Sequence, residues 1–330
     1  MSTKELTVMT ANLAGARRQK QGRLDPKQTA FDFIHLMKDC SESPIREHLI
    51  DSIIIAIQET YVVWTGFAGL PGNTARTLAE NFGLQDFFAP YLDSDSQPHK
   101  NKWERKAFEG FRKLQQGNAI VTNLRLGKWP WMQTNVKSPM NIPISHPMLF
   151  STGNRDTEPR HVVFIPLIIG NRLIYFMAIH LTTLSGEDRH DPANERSKIA
   201  SITRLEQIGN IHRLLYELRN AEKTAQMPHA PVILAGDFNA TPESPEIINL
   251  SFGDIDRFKR VQTLWHCSPQ DASLEVLYTH IGHKTCVDHI FYSDPDDTLK
   301  VQSGIIFNEP GTENITDHYP VIAKFLIEQA

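Results

Sequence analysis

The chain has few cysteines and lacks any long apolar run. Cys40, Cys267 and Cys286 are the only cysteines in 330 residues, a sparse and odd set that argues against a disulfide framework. No segment approaches the roughly 20 apolar residues of a membrane-spanning helix, and residues 1–15 lack a signal-peptide pattern. These absences predict a protein without a membrane span in a reducing compartment, and we expect it in the cytoplasm.

An excess of positive charge is also missing. Lys and Arg number 34 against 38 Asp and Glu, which gives a formal net charge of −4 at pH 7. Proteins held to nucleic acid by bulk electrostatics are usually basic, so any basic surface here must be local. Residues 17–27 and 100–113 could supply one, and the second segment interleaves aromatics with its cations. Each segment could equally be an ordinary surface element.

Repeats, low-complexity tracts and linkers are absent as well, so we expect one domain over residues 1–330. Short apolar segments rich in β-branched residues alternate with stretches of helical spacing. Gly170-Asn171 between two such segments predicts a hairpin. Strands mixed with surface helices predict an α+β protein of packed sheets.

Helical spacing is most extended over residues 194–224, where six apolar residues are predicted to share one face. They are Ile199, Ile202, Leu205, Ile208, Ile211 and Leu215. Arg204 and Gln207 on this helix are interpreted as structural contacts or surface. Residues 128–159, rich in Pro, Ser and Asn, predict a long loop.

Polar side chains stand where several apolar strands end. A buried strand excludes such groups because an unpaired buried charge is costly. One polar end is explained by a strand that reaches solvent, but six are not. The residues are Asn12, Gln58, Glu59, His180, Asp237, Asn239, Asp288, Asp317 and His318. We expect them to converge at one mouth of a sandwich, where oxygen donors suit Mg²⁺, with Mn²⁺ as the alternative.

The ordered motifs ANL, IQET, AIHL, GDFNATP, VDHIF and TDHYPV resemble those of the endonuclease/exonuclease/phosphatase superfamily. That group includes type I deoxyribonucleases, abasic-site endonucleases, deadenylases, neutral sphingomyelinases and inositol-polyphosphate 5-phosphatases. GDFNATP and TDHYPV are the most specific of the matches. The resemblance implies a four-layer α/β/β/α sandwich, in which two packed mixed β-sheets are flanked by helices. It also implies metal-dependent phosphodiester hydrolysis.

The resemblance assigns a role to each catalytic side chain. Asp237 would orient or deprotonate the attacking water, and Asn239 would fix phosphate or water. His318 would contact the scissile phosphate while Asp288 holds its ring. His180 would be the second histidine, near the leaving group. These roles match the chemistry, which needs an in-line water, a base and positive charge on the phosphate oxygens.

The resemblance also implies ligands for the metal. Glu59 would be the main Mg²⁺ carboxylate, Asn12 its neighbour, and Asp317 a further carboxylate on the metal side. Arg160 and Asn118 are predicted to bind substrate, although Arg160 could be a plain cation at a strand edge.

The chain departs from abasic-site endonucleases at two positions. Ala14 stands where those enzymes carry an acidic residue, and His180 stands where they carry a tyrosine. Both differences favour a deoxyribonuclease-like or deadenylase-like site.

A zinc site is an alternative for HIGHKTCVDH, which spaces His280, His283, Cys286 and His289 three residues apart. The competing interpretation is a hairpin that leads into the VDHIF strand, with histidines at its turn.

Three functions compete at this point. The preferred hypothesis is a nuclease that cuts DNA or RNA, because the nuclease-like GDFNATP motif and the two histidines accompany local basic segments. A lipid or inositol phosphoesterase is the alternative, although GDFN lacks the Arg of inositol 5-phosphatases. A catalytically dead scaffold ranks last, since every expected catalytic residue is present. The sequence names no protein partner.

Overall fold

A computed structural model of the chain describes residues 2–13, 25–39, 52–64, 72–93, 113–131, 140–145, 160–184, 186–191, 193–253, 256–267 and 277–329. Most of the basic segments 17–27 and 100–113 therefore lies outside the described residues. Among the residues that are described, no helix combines the length and the apolarity needed to cross a membrane.

Eight strands of the described chain form a first mixed sheet. They are β1 (Thr3–Asn12), β2 (Ile53–Trp64), β3 (Gly72–Asn73), β4 (Gln85–Asp93), β5 (Lys113–Thr122), β12 (Leu264–Trp265), β14 (Leu299–Ile306) and β15 (Val321–Glu328). Their order is β12-β14-β15-β1-β2-β5-β4, with β3 paired to β2. The β1–β2 and β12–β14 pairs are parallel, and the other pairs are antiparallel.

A second mixed sheet contains seven strands within the same described ranges. They are β6 (Arg125–Leu126), β7 (Met140–Pro143), β8 (His161–Ile169), β9 (Arg172–His180), β10 (Val232–Asp237), β11 (Lys259–Arg260) and β13 (Asp288–Ser293). Their order is β11-β13-β10-β9-β8-β6, and β7 pairs with β8. Strands β8 and β9 form the antiparallel hairpin predicted at Gly170-Asn171.

Helices cover the outer face of each sheet. Helices α1 (Pro26–Asp39) and α2 (Thr74–Phe82) pack on the first sheet, and α3 (Glu195–Thr224) and α4 (Pro245–Leu250) pack on the second. Between the sheets lies a third apolar cluster that includes Val8, Ile54, Phe176 and Ile233. The predicted α/β/β/α sandwich is confirmed, because each sheet buries apolar side chains on both faces.

Two expectations for individual segments were wrong. Ile199 and Ile202 are 50% and 67% exposed, because the first half of α3 buries Arg204 and Gln207 instead. Their polar groups are satisfied by contacts with other elements, so apolar periodicity did not mark the buried face there. Residues 128–159 are not one loop, since they contain β7, which pairs with β8.

The topology brings the polar strand ends to one side of the molecule. Strands β9 and β10 are parallel and end together, with His180 opposite Asp237. Strand β13 runs antiparallel to β10, so its first residue Asp288 lies beside Asp237. In the other sheet, Asn12 ends β1 opposite Gln58 of β2. Strand β15 begins next to this end of β1, and Asp317 and His318 lie just before it.

Candidate active site

The carboxylate of Asp237 is hydrogen-bonded across the two sheets. Its Oδ2 accepts a 3.0 Å hydrogen bond from Nδ2 of Asn12, which belongs to the other sheet. His180 Nε2 lies 3.6 Å and His318 Nε2 lies 3.9 Å from the same oxygen. Three residues separated by up to 306 positions in the chain therefore surround one buried oxygen atom of Asp237.

The GDFN segment requires its glycine for close packing. A Cβ added at Gly236 would collide with the carbonyl oxygen of Ile179 on the neighbouring strand β9. Asn239 then adopts a left-handed backbone with φ of 50°, a conformation that asparagine tolerates better than most residues. Its backbone N–H donates to Asp237 Oδ1 at 2.8 Å. The turn therefore fixes the Asp237 carboxylate immediately after the strand.

Glu59 is aimed by a β-bulge in β2. Ile57 pairs with Ala119 and Thr60 pairs with Gly117, so Gln58 and Glu59 together oppose the single residue Asn118. Glu59 has φ of 52°, which costs energy for a residue other than glycine. Bulges of this kind re-aim side chains, and Glu59 Oε1 lies 4.0 Å from His180 Nε2.

His318 is paired with Asp288 as the resemblance implied. Nδ1 of His318 donates to Asp288 Oδ2 at 2.7 Å, which leaves Nε2 directed toward Asp237 and Asp317. Thr316 links this segment to β1, because its hydroxyl donates to the Asn12 carbonyl oxygen at 2.6 Å and accepts from the His318 N–H. The ring is thus held from two sides.

Electrostatics favour a cationic His318. Burial lowers the pKa of His318, but Asp288, Asp237 and Asp317 together outweigh it and raise the pKa to about 10. Burial and the His318 charge lower the pKa of the neighbouring His280 to about 4, so that ring is neutral. Burial and the nearby Asp288 raise the pKa of Asp237, an effect only partly offset by His318 and Arg189.

His180 has a different partner, which the sequence did not predict. Nη1 of Arg160 lies 3.1 Å from His180 Nδ1. Arginine can only donate, so Nδ1 must be the acceptor and the ring proton of the neutral histidine must sit on Nε2. The same guanidinium group lies over the Tyr91 ring, with 5.5 Å between its carbon and the ring centroid. The structure therefore presents His180 to Asp237 and Glu59 as an Nε2–H donor.

Replacing Arg160 with methionine is expected to lower kcat at least about tenfold with little change in KM, because His180 loses the group that fixes its tautomer. Steady-state kinetics on the preferred substrate measure this. Arg172→Met, at the opposite end of the β8–β9 hairpin, is the matched control and should behave like wild type. A raised KM with unchanged kcat would instead support the substrate contact predicted for Arg160.

The side chain of Asn239 is fully engaged by groups outside the predicted set. Its Nδ2 donates to the Leu181 carbonyl oxygen at 3.0 Å, and its Oδ1 accepts from Arg189 Nη2. Arg189 also donates to Thr183 Oγ1 at 3.0 Å. Arg189 and Asn239 line a cleft of about 410 Å³ between the 186–191 segment and α4. No motif marks Arg189, so sequence reasoning missed it.

Arg204 and Gln207 make the structural contacts that were predicted for them. Arg204 bridges Glu187 and Glu246 at 2.8 and 2.7 Å. Gln207 Oε1 accepts the Thr182 N–H at 3.1 Å. Helix α3 thereby anchors the segment that follows His180.

Asn118 lies in β5 opposite the Glu59 bulge and is buried. Its Nδ2 donates to the His161 carbonyl oxygen at 3.2 Å, while its Oδ1 is buried without a hydrogen-bond partner in the structure as described. The substrate-binding role of Asn118 stays a prediction.

The four residues of the zinc alternative do not converge. His280 faces His318, with 4.7 Å between ring centroids, and its backbone pairs with Thr285 across the predicted turn. His289 points to the other face of β13, where Nε2 lies 2.9 Å from the Ala240 carbonyl oxygen and the ring packs on Phe238 and Phe291. The hairpin interpretation is the correct one.

His289 should make the fold sensitive to acid. Burial lowers the pKa of His289 to about 3, so between about pH 6.5 and 3 the unfolded chain binds one more proton. Stability then falls as pH falls, by about 1.4 kcal/mol per unit. Between pH 7 and pH 5 we expect the free energy of unfolding of His289→Phe to fall by about 2 kcal/mol less than that of wild type, as measured by urea unfolding. The exposed-site variant His190→Phe should keep the wild-type slope.

The oxygen donors at this mouth fit a hard divalent cation. Asn12 and Glu59 carry the amide and carboxylate oxygens that such a cation prefers, and the Asn12 amide nitrogen donates to Asp237. Asp288 Oδ1 is buried without a hydrogen-bond partner in the described structure, and Asp237 lies beside it. Such a concentration of carboxylates favours bound positive charge.

Asp317 does not join Glu59 in a common donor set within the described residues. The sets of His, Cys, Asp and Glu donors within 4.8 Å of one another at this mouth are Asp237–Asp288–His318 and His280–Asp317–His318. The Glu59 carboxylate instead faces His180. The metal role of Asp317 stays a prediction.

Comparison with known proteins agrees with this architecture. The model of the Endonuclease/Exonuclease/phosphatase family matches residues 9–318. No curated protein sequence matches the chain. An endonuclease/exonuclease/phosphatase from Beutenbergia cavernae is 15% identical with a TM-score of 0.59, covering 99% of this chain and 72% of that one.

Two further solved structures share the fold at low identity. The human Nocturnin catalytic domain with a bound sulfate anion is 17% identical with a TM-score of 0.55, covering 97% of this chain and 94% of that one. Truncated Caenorhabditis elegans TDP2 is 13% identical with a TM-score of 0.50, covering 97% of both chains. Identities this low show the fold alone, but the family match over residues 9–318 includes every polar strand end named above. The chain belongs to the endonuclease/exonuclease/phosphatase family.

Proposed function

We propose that the chain is a divalent-metal-dependent phosphodiesterase, and specifically a nuclease that hydrolyses DNA or RNA by in-line attack of water. The observation that carries the proposal is the environment of Asp237. A buried carboxylate oxygen that has Asn12 at 3.0 Å, His180 at 3.6 Å and His318 at 3.9 Å is suited to position a water against a phosphate.

Each side chain has a separate task in this reaction. Asp237 orients the water and accepts its proton. His318, held cationic by Asp288, donates from Nε2 to a phosphate oxygen as negative charge builds up. His180 donates a hydrogen bond from its Nε2–H to the leaving oxygen and keeps its proton, because Arg160 occupies Nδ1. Asn239 holds the turn that carries Asp237, because its backbone N–H donates to Asp237 Oδ1 and its amide is bonded to Leu181 and Arg189.

The cation would be Mg²⁺ or Mn²⁺, held by Asn12 and Glu59 with Asp317 as a further carboxylate. When bound, it supplies positive charge to the phosphate and leaving oxygens. The positive φ of Glu59 supports this assignment, because strained backbone at a bulge commonly serves to aim a functional side chain.

A nucleic-acid substrate is supported by two features. The histidine pair and GDFNATP resemble the nuclease branches of the family, and basic residues cluster in 17–27 and 100–113 despite the overall charge of −4. The related Nocturnin domain binds a sulfate anion, a tetrahedral oxyanion of the same shape as phosphate.

A substrate panel tests the proposal. Plasmid DNA, single-stranded DNA, RNA, sphingomyelin and a phosphoinositide are each incubated with the protein in Mg²⁺, in Mn²⁺ and in EDTA. We expect cleavage of at least one nucleic acid with metal, loss of cleavage in EDTA, and recovery when Mg²⁺ or Mn²⁺ is restored. Release of phosphocholine or phosphate from the lipids, with every nucleic acid intact, would replace the nuclease assignment with the lipid alternative.

A further inference from the structure

A second group of metal-binding side chains lies outside the catalytic mouth. His266 and Cys267 follow β12, and Glu309 follows β14, its neighbour in the sheet. His266 Nε2 lies 3.1 Å from Glu309 Oε1, and Cys267 Sγ donates to the same oxygen at 3.1 Å. The three donor atoms all lie within 4.8 Å of one another. Strand β12 is three places from β1 in the sheet, so this group is distinct from the Asp237 site.

The chemistry of these donors differs from that of the catalytic mouth. Thiolate and imidazole ligands select zinc and related transition metals, whereas Mg²⁺ takes oxygen ligands. A tetrahedral zinc ion bonded to sulfur at about 2.3 Å and to nitrogen and oxygen at about 2.0 Å sets its ligand atoms roughly 3.3–3.5 Å apart. The two observed distances of 3.1 Å are within a few tenths of an ångström of that spacing.

Backbone contacts hold the donors in place without an ion. The parallel β12–β14 pairing continues past the strand, because the His266 N–H donates to the Ile306 carbonyl oxygen at 3.0 Å. Asn308 brackets Cys267, accepting its N–H at 2.8 Å and donating to its carbonyl oxygen at 2.9 Å. The His266 ring stacks on Phe307 with centroids 5.1 Å apart. Ligands fixed by such outer contacts lose little freedom when they bind metal.

We propose that His266, Cys267 and Glu309 bind a Zn²⁺ ion, with the remaining tetrahedral position taken by water or another ligand. Binding converts the Cys267 thiol to a thiolate and releases its proton to solvent. The ion clamps the end of β12 to the segment that begins at Phe307. That segment reaches the mouth at Thr316, whose hydroxyl donates a hydrogen bond to the Asn12 carbonyl oxygen. The same segment carries His318. The site is therefore structural and steadies the approach to the catalytic histidine.

Cobalt substitution tests the site without relying on activity. The full chain is stripped with a chelator and titrated with Co²⁺, and the near-ultraviolet thiolate-to-cobalt charge-transfer band is recorded. We expect the band to saturate at one Co²⁺ per chain and to disappear when Zn²⁺ displaces Co²⁺. Cys267→Ser should abolish the band, while Cys286→Ala, which removes a buried thiol outside the group, should retain it. Glu59→Gln should also retain it, which separates this ion from the proposed catalytic cation.

Affinity and stability give a second measurement. His266→Gln and Glu309→Gln should each weaken Zn²⁺ binding by at least about 100-fold, since loss of even an outer contact commonly costs 10–100-fold. Zn²⁺ should raise the Tm of wild type and leave that of Cys267→Ser unchanged. Circular dichroism in EDTA shows whether each variant folds. If Cys267→Ser does not fold, Glu309→Gln is used in its place. A band that survives Cys267→Ser, or no band from folded wild type, would overturn the proposal.

Discussion

Replacing His318 with alanine is expected to lower kcat/KM on the substrate that the panel identifies by about 10²–10³-fold. The ring is buried, its Nδ1 is bonded to Asp288 at 2.7 Å, and surrounding carboxylates raise its pKa to about 10. The variant therefore loses a fixed cation where negative charge develops. Initial rates of the variant and of wild type, both with Mg²⁺ present, measure the loss. Wild type in EDTA gives the background rate.

Two companion variants make the His318 experiment specific. His283→Ala removes an exposed histidine of the adjacent hairpin and should retain wild-type rates. Asp288→Asn should lower kcat/KM by at least about tenfold, because the ring loses the carboxylate that orients and charges it. Since Asp288 acts through His318, adding Asp288→Asn to His318→Ala should cause little further loss. Multiplicative losses in the double variant would show that Asp288 has an independent role.

Replacing Asp237 with asparagine is expected to lower kcat by about 10²–10⁴-fold, the range associated with loss of a general base. Asparagine keeps the shape of the side chain but neither carries the charge nor accepts the proton of the attacking water. Single-turnover cleavage with saturating protein isolates this effect from substrate binding. A variant that retains more than a tenth of wild-type kcat would contradict the assignment of the base.

The Asp237 variant also tests whether the residue serves catalysis rather than the fold. Asp237 is buried beside Asp288, and both can carry negative charge, so a neutral side chain removes like-charge repulsion and a desolvation cost. We expect the Tm of Asp237→Asn in EDTA to equal or exceed that of wild type. The comparable variant Asp256→Asn should lower the Tm, because Asp256 accepts two hydrogen bonds from the buried Arg219.

The strand ends of the site were predictable because they place polar and charged residues at the ends of apolar strands. Asn12, His180 and Asp237 each close an apolar run, and burial of such groups is costly unless they have partners. That local conflict, together with motif order, was enough to predict the two-sheet sandwich and the residues around Asp237. The pairing of His318 with Asp288 was predicted from the resemblance and is present at 2.7 Å.

Other parts of the site carry no local signal. Arg160 lies immediately before β8 and could have faced solvent, yet its guanidinium group contacts His180. Arg189 lies in a segment without a motif and holds Asn239. The exposed Ile199 and Ile202 show the converse. Helical spacing grouped them on one face with Ile208 and Ile211, which are buried, whereas the first half of α3 buries Arg204 and Gln207. Each outcome depends on contacts between distant segments, which periodicity does not encode.

The sequence by itself determined the alternation of strands and helices and the polar strand ends, because these follow from local patterns of apolar and polar residues. The family was predicted from the resemblance that the ordered motifs carry. Only the tertiary structure decided which nitrogen of His180 bears the proton, how the Glu59 bulge is aimed, and that His266, Cys267 and Glu309 meet. Those features require atoms far apart in the chain to lie within a few ångströms, and only the packing of the two sheets sets such distances.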